Sequence, residues 1–218
     1  MRLHINTSGA NRIVPFNYQP ILTGAIHKWI GENEIHDLTS LYSFSWLMKG
    51  IAQSDGIRFD RQACFFISAF DNELIKLIIN GIQENPKIGF GLEVKEITIQ
   101  EDPDFSGSHL FYTASPILIK RNEEKRTTHF VWNDLKSDSL LTETLKRKLK
   151  QADINSDNLF VKFDRSYRNP KTKVVYYQNI GNRVNICPVI ISGTSEQLNF
   201  AWNVGVGNST GIGFGAIK

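Results

Sequence analysis

Five histidines, His4, His27, His36, His109 and His129, are the side chains of this sequence best suited to moving protons, because imidazole, with a reference pKa of ~6.5, serves as acid or base near neutrality. Spacing singles out two of them. At about 100° per residue on a helix, His27 lies off the apolar stripe of Leu22, Ala25 and Trp29 and shares a face with Thr23 one turn earlier. His36 faces away from Ile35, Leu38 and Tyr42, with Ser40 on its own side. Both are expected to be open to a ligand; the plainer alternative is a pair of solvated helix histidines. His4 sits in an alternating strand pattern, where a structural role is the ordinary one. Nothing distinguishes His109 or His129.

The cations follow a separate distribution. Net charge is only +3 over 218 residues, a weak argument for a polyanionic partner. Between Leu159 and Ile186, however, Lys162, Arg165, Arg168, Lys171, Lys173 and Arg183 are set against a single acid, Asp164, for a local charge of +5. Residues 1–31 hold Arg2, Arg12 and Lys28 and no carboxylate. Two basic regions with the acids elsewhere suit a surface that tracks phosphates; a solvated hairpin with a few lysines is the alternative. Tyr167, Tyr176 and Tyr177 interleave with these cations, and Asn169-Pro170 marks the expected hairpin tip. The clusters at 120–126 and 146–150 say less: acids neutralise the first, and the second reads as the charged end of a helix.

Metal chemistry lacks a ligand pattern. No HxxxH or HxH occurs, and Cys64 and Cys187 stand 123 positions apart in apolar runs that suit buried, reduced thiols. Neither a metal nor a cofactor is expected.

These residues need a scaffold. At 41% apolar and 22% charged, the composition is that of an ordinary globular chain. There is no signal-peptide pattern and no apolar run of the ~18 residues a membrane span needs, so a cytoplasmic protein without a membrane partner is expected. Residues 1–6 alternate as a strand, 19–30 repeat apolar positions at helical spacing up to Gly31, and 34–42 carry a second short helical stripe. A strand over 58–70, a helix over 72–84 capped by Asp71 and a strand over 91–101 complete the first half, with room for one more strand near 44–51 or 57–59. After a turn-rich 101–108 the order begins again. Strands over 110–120 and 128–132, a helix over 133–151, strands over 159–163, 174–179 and 183–192, a helix over 195–203 and a closing strand over 212–218 follow. The expectation is an α+β protein of tandem ferredoxin-like (βαββαβ) domains. Residues 1–105 carry the histidines; residues 106–218, decorated, carry the basic hairpin and a C-terminal glycine-rich loop.

That loop places Gly205, Gly207, Gly211, Gly213 and Gly215 within eleven residues. Glycines admit positive φ and let backbone N–H groups converge on phosphate oxygens. A Walker loop is excluded because no Gly-Lys-Ser/Thr follows, and a dinucleotide fingerprint because a helix precedes the glycines and the chain ends after them. A loop laid against RNA and a turn packing the two domains together both stay open.

The terminal ISGTSEQLNFAWNVGVGNSTGIGFGAIK resembles the C-terminal signature of the CRISPR repeat-processing endoribonucleases, members of the repeat-associated mysterious protein superfamily. VPFNYQPILTGAIH (14–27), SFSWL (43–47) and FYTASPILI (111–119) are similar to further family segments and occur in the expected order. The resemblance implies tandem ferredoxin-like domains and cleavage of a CRISPR transcript within each repeat, yielding guide RNAs. Such cleavage needs no external nucleophile, because the 2′-hydroxyl beside the scissile phosphate attacks it; the protein supplies a base, an acid and a stabiliser of developing charge. By resemblance, His36 falls where a catalytic histidine stands and His27 where an assisting residue stands. Family members also carry a lysine shortly after that histidine. None occurs here between Asp37 and Met48, which leaves Lys28 and Lys49 as substitutes. RNA contacts are expected from Arg165, Arg168, Lys171 and Lys173, and along Gly205, Gly207, Asn208, Gly211 and Gly213. The implied partner is CRISPR repeat RNA, with other CRISPR effector subunits and a second copy of the chain left open. A non-catalytic RNA-binding subunit of an effector complex is the competing reading.

Overall fold

The computed structural model describes residues 1–31, 40–123 and 126–218. Its first half is built around β1 (Arg2–Thr7), whose Leu3 and Ile5 are fully buried. Next comes α1 (Gln19–Ile30), with Pro20 in its first turn, where a missing N–H loses no hydrogen bond. It stops at Gly31, whose φ of 75° lets its N–H close on His27 O at 3.0 Å. Then follow β2 (Tyr42–Phe44), a short hairpin of β3 (Ile51–Ala52) and β4 (Ile57–Arg58), β5 (Cys64–Ala69), α2 (Asn72–Glu84), β6 (Lys87–Gly89) and β7 (Leu92–Gln100). The sheet runs β2-β5-β1-β7-β6 with antiparallel neighbours. Leu22, Ile26 and Trp29 of α1 and Leu74, Ile75 and Ile78 of α2 cover the face formed by Leu3, Ile5, Phe65 and Ile67. Asp71 caps α2, accepting the Glu73 N–H at 2.8 Å, as its place before the apolar run predicts.

The second half contains β8 (Ser108–Phe111), β9 (Ile117–Leu118), β10 (Lys120–Glu123), β11 (Arg126–His129), α3 (Ser137–Gln151), β12 (Phe160–Phe163), β13 (Lys171–Tyr177), β14 (Ile180–Ile186), β15 (Val189–Ser192) and α4 (Ser195–Val204). One sheet runs β12-β15-β8, and the chain end extends it beyond β8, where Tyr112 and Lys218 exchange both backbone hydrogen bonds at 2.9 Å. A second sheet, β13-β14-β9, stands beside it. Leu141, Leu145 and Leu149 of α3 and Leu198 of α4 pack on Phe111, Val161, Val189 and Ile191. Thr194 and Gln197 form a capping box at the start of α4.

Arg2 joins the halves. Opposite Ser68 on the sheet face away from α1 and α2, its guanidinium lies 3.7 Å from the Phe66 ring centroid and 3.6 Å from that of Trp202 in α4. It donates to Ser68 Oγ at 2.6 Å, Trp202 O at 3.0 Å and Ile217 O at 2.8 Å. Burial lowers its pKa to about 9, against the opposing pull of Asp102.

Several expected elements differ. The closing strand does not span 212–218: a 3-10 turn occupies Thr210–Ile212, and left-handed Gly213 (φ 86°) and Gly215 (φ 68°) keep the chain out of a sheet until Ala216. The strand over 183–192 is two strands in different sheets, broken at Cys187–Pro188, because proline has no N–H for a ladder. Asn169-Pro170 is not the hairpin tip. The β13–β14 turn is Gln178–Asn179, with φ of 47° and 67°, the two-residue turn whose twist matches the strands. The helix expected from 133 begins at Ser137, since Asp134 accepts the Val131 N–H at 2.6 Å and turns the chain first. The 110–120 strand breaks between β8 and β9, with Pro116 just before β9. The 58–70 strand shortens to β5. The short helix expected at 34–42 falls mostly outside the described residues, and Tyr42, its last expected residue, lies in β2.

Candidate nucleic-acid interface

Gln19, Thr23 and His27 fall at i, i+4 and i+8 on α1, so they form one stripe. That stripe turns toward the second half of the molecule, not toward solvent. Gln19 and Thr23 are buried, and Gln19 Nε2 donates to Ile212 O at 2.6 Å. His27, half-buried, places Nε2 3.1 Å from the Tyr42 hydroxyl. Tyr42, buried on β2, donates that hydroxyl to Gly211 O at 3.0 Å. With the phenol proton given to a carbonyl, the oxygen is left as acceptor, so His27 Nε2 is the donor in the pair. Burial first, and Tyr177 second, hold the Tyr42 phenol above its usual range. On the polar face expected to be open to a ligand, Thr23 is buried and His27 half-buried, because the glycine-rich segment docks along it.

Packing explains that segment's composition. A methyl on Gly211 would collide with the Ser40 hydroxyl, and one on Gly207 (φ 77°) would sit 2.5 Å from Leu118 O. Trp46 Nε1 donates to Gly213 O at 2.8 Å. Gly205, Gly207, Gly211 and Gly213 are all buried, whereas Asn208 and Ser209 stay partly open. Asn208 fastens the loop, its N–H bonding Leu118 O at 2.8 Å and its Oδ1 accepting the Lys120 N–H at 2.9 Å.

The β13–β14 hairpin approaches the same seam. Period-two alternation puts Lys171, Lys173, Val175 and Tyr177 on one face of β13. Lys173 Nζ lies 4.3 Å over the Trp46 ring, and partial desolvation holds its pKa below the usual lysine value. Val174 and Tyr176 point the other way and are exposed. Arg168 and Lys171 are exposed as well. Arg165 is paired, at 2.5 Å, with Asp138, whose other oxygen accepts the Phe163 N–H.

The remaining expected residues are scattered. His36 lies outside the described residues, and Ser40, the first described residue after it, lies against Gly211. His4 bonds Gln100 across the sheet at 2.6 Å, and His109 packs on the rings of Phe105 and Phe111. Burial first, and Lys120 second, lower the His129 pKa. Lys28 is turned to Lys87 O at 2.6 Å and Asn85 Oδ1 at 3.2 Å, and Lys49 lines a separate pocket with Arg58 and Arg61. Among the described residues, no group of three His, Cys, Asp or Glu side chains could hold a metal ion, and no helix is long and apolar enough to cross a membrane.

Sequence reasoning missed Tyr42, Trp46 and Lys148. The 146–150 cluster does not lie wholly in solvent: Lys148 is 1% exposed, and its Nζ donates to Val204 O at 2.9 Å and Thr210 Oγ1 at 2.8 Å. The available signal was spacing, because Lys148 continues the buried stripe of Leu141 and Leu145.

The five-stranded sheet with α1 and α2, and the β12-β15-β8 sheet with α3 and α4, meeting along a glycine-rich C-terminus, are thus what comparison with known proteins has to match. Residues 99–218, more than half of the chain, match the family model described as CRISPR associated protein Cas6, C-terminal. The chain belongs to the Cas6 family, the CRISPR repeat-processing family. Over 95% of its length, this Cas6-family chain is 26% identical to a putative CRISPR-associated endoribonuclease-like protein Cas6 of Pyrococcus furiosus, covering 93% of that protein. Over its full length it is 25% identical to CRISPR-associated endoribonuclease Cas6 1 of Methanocaldococcus jannaschii, covering 92% of it. Its mixed α+β fold matches a solved structure described as an RAMP protein binding different RNA substrates, with a TM-score of 0.85 at 20% identity, covering all of this chain and 98% of that one.

Proposed function

We propose that this chain is a metal-independent endoribonuclease that cleaves CRISPR repeat RNA by 2′-hydroxyl attack, leaving 2′,3′-cyclic phosphate and 5′-hydroxyl ends. The observation that carries the reading is the His27–Tyr42–Gly211 chain of hydrogen bonds, which ties an imidazole to the glycine-rich terminus of a Cas6-family protein. RNA brings its own nucleophile, so two imidazoles suffice to move the protons. His27 is one, and His36, in the segment that leads to Ser40, is the other. One relative described as an endoribonuclease and one described as endoribonuclease-like support the activity.

In this reading residues 1–105 and 106–218 are two ferredoxin-like domains. Support comes from strand order: β7-β1-β5-β2 in the first half, and chain end-β8-β15-β12 in the second, each interleaved with two helices. Arg168, Lys171 and Lys173 hold the RNA backbone, with Arg165 released from Asp138 to join them. Asn208 and Ser209 form the open part of the loop, and Gly205, Gly207, Gly211 and Gly213 give it its shape. The protein works in the cytoplasm, where the transcript is made.

Incubation of repeat RNA with the protein in EDTA tests this. Cleavage to a cyclic-phosphate product, blocked by a 2′-deoxy substitution at the cut site, is the expected result; intact RNA, or cutting only when magnesium is added, overturns it.

A second reading, a non-catalytic RNA-binding subunit, draws on one observation: the partner shown for His27 Nε2 is a neutral phenol. The same assay separates the two, since that reading expects RNA bound and uncut.

A further inference from the structure

A pocket of about 260 Å³ lies between α3 and the glycine-rich loop, walled by Lys120, Arg147, Lys148, Asn208, Thr210 and Ser40. Among the described residues its lining holds three cations and no carboxylate. Lys120 enters from β10 and Arg147 from the exposed side of α3. Lys148 forms the floor.

Lys148 is the unusual member. A buried ammonium is normally paired with an acid, because desolvating an unpaired charge is costly. Here its two recorded acceptors, Val204 O and Thr210 Oγ1, are both neutral and serve two of its three N–H donors. Arg147 on its own helix repels it, Lys120 lines the same pocket, and among the described residues the loop and Ser40 contribute no titratable group. Burial first, and Arg147 second, bring its pKa down to about 7. Such a group lacks an anion.

We propose that this pocket is a phosphate subsite, seating a backbone phosphate of a bound RNA strand between Arg147 and Lys120 and above the Lys148 ammonium. The assignment rests on the RNA-binding part of the proposed function, not on cleavage. Hydroxyls and an amide on the remaining walls suit a phosphate's other oxygens. Ser40, on the pocket wall, lies against Gly211, whose carbonyl accepts the Tyr42 hydroxyl that bonds His27, so a strand seated here continues toward His27.

Two measurements on the full-length protein test it. The first is affinity for repeat RNA as a function of salt for Arg147→Ala, Lys120→Ala and the double variant; exposed Arg147 can be changed without disturbing the core. Each single variant is expected to weaken binding about 5- to 10-fold and to reduce the salt slope by roughly one phosphate contact. The second follows Lys148 Nζ by lysine-selective NMR across pH, in the free protein, with repeat RNA, and with inorganic phosphate. RNA is expected to raise the midpoint by about one pH unit or more, as a close opposite charge does. Arg147→Ala should reduce that rise. A double variant with wild-type affinity and salt slope overturns the proposal, as does a midpoint unmoved by saturating RNA. A midpoint moved by inorganic phosphate and not by RNA makes this a free-anion site and overturns the strand assignment. A protein that shows the RNA-induced rise but never cuts RNA leaves the subsite standing and removes the nuclease reading.

Discussion

The Tyr42 hydroxyl sits between His27 and Gly211, 3.1 Å from the imidazole Nε2 and 3.0 Å from the glycine carbonyl. The two bonds are directional and linked, so the phenol fixes which imidazole nitrogen carries the proton and couples that choice to the position of the C-terminal loop. Tyr42→Phe keeps the ring and deletes both bonds. Cleavage by this variant is expected to fall about 10- to 100-fold, within the range of a general acid–base contribution, with RNA affinity unchanged. Single-turnover rates set beside binding constants check it; an unchanged rate removes Tyr42 from the mechanism. Gly211 O, left without its partner, should also lower stability by about 1 kcal/mol or more.

Arg2 is expected to matter for stability and not for chemistry. Its guanidinium lies between the Phe66 and Trp202 rings and satisfies two carbonyls of the second half. Arg2→Ala leaves Trp202 O and Ile217 O unpaired and opens a gap between the rings. A loss of about 2–4 kcal/mol is expected from the combined hydrogen-bond and cation–π terms, measured by denaturant unfolding. A variant as stable as wild type shows that the halves are joined by other means.

The basic hairpin divides into cations that are free to act and one that is committed. Arg168 and Lys171 are exposed, whereas Arg165 is held by Asp138. Arg168→Ala combined with Lys171→Ala should flatten the salt dependence of RNA binding by roughly two phosphate contacts. Arg165→Ala should do less, since its fork must first leave a carboxylate. Equal effects from all three would place Arg165 on the RNA and Asp138 out of play.

The sequence made legible what repeats locally. The stripes of α1 and α2, the alternation of β1 and the Asp71 cap are each set by residues within a few positions of one another. Less legible were features with weak or misleading local signals. Gln178–Asn179 carries no glycine, so Asn169-Pro170 looked the stronger turn. Gly213 and Gly215 stand among apolar residues that read as strand until their positive φ is known. Periodicity places His27 and Tyr42 on the faces of two helices; their bond, and the one from Tyr42 to Gly211 across 169 positions, follow from how the halves dock, which no periodicity encodes. The cluster at 146–150 hid Lys148 for a similar reason: its neighbours advertise solvent, and only the spacing from Leu141 and Leu145 places it inside.

Lys148 also predicts how stability follows pH in the absence of ligand. Its pKa falls from the ordinary lysine value of 10.5 to about 7 on folding, chiefly through burial. Between those values the unfolded chain holds a proton that the folded one has released, so unfolding takes up protons and the slope of stability with pH is positive. This residue's contribution is therefore least favourable below pH 7 and grows as pH rises toward 10.5. Denaturant unfolding at a series of pH values checks it, with Lys148→Met as the comparison, because methionine keeps the length of the side chain and cannot titrate. The difference in stability between wild type and variant should grow in favour of wild type across the window, with a slope approaching one proton. A difference that does not vary with pH would mean that the buried amine stays charged, its cost met by Val204 O and Thr210 Oγ1 alone.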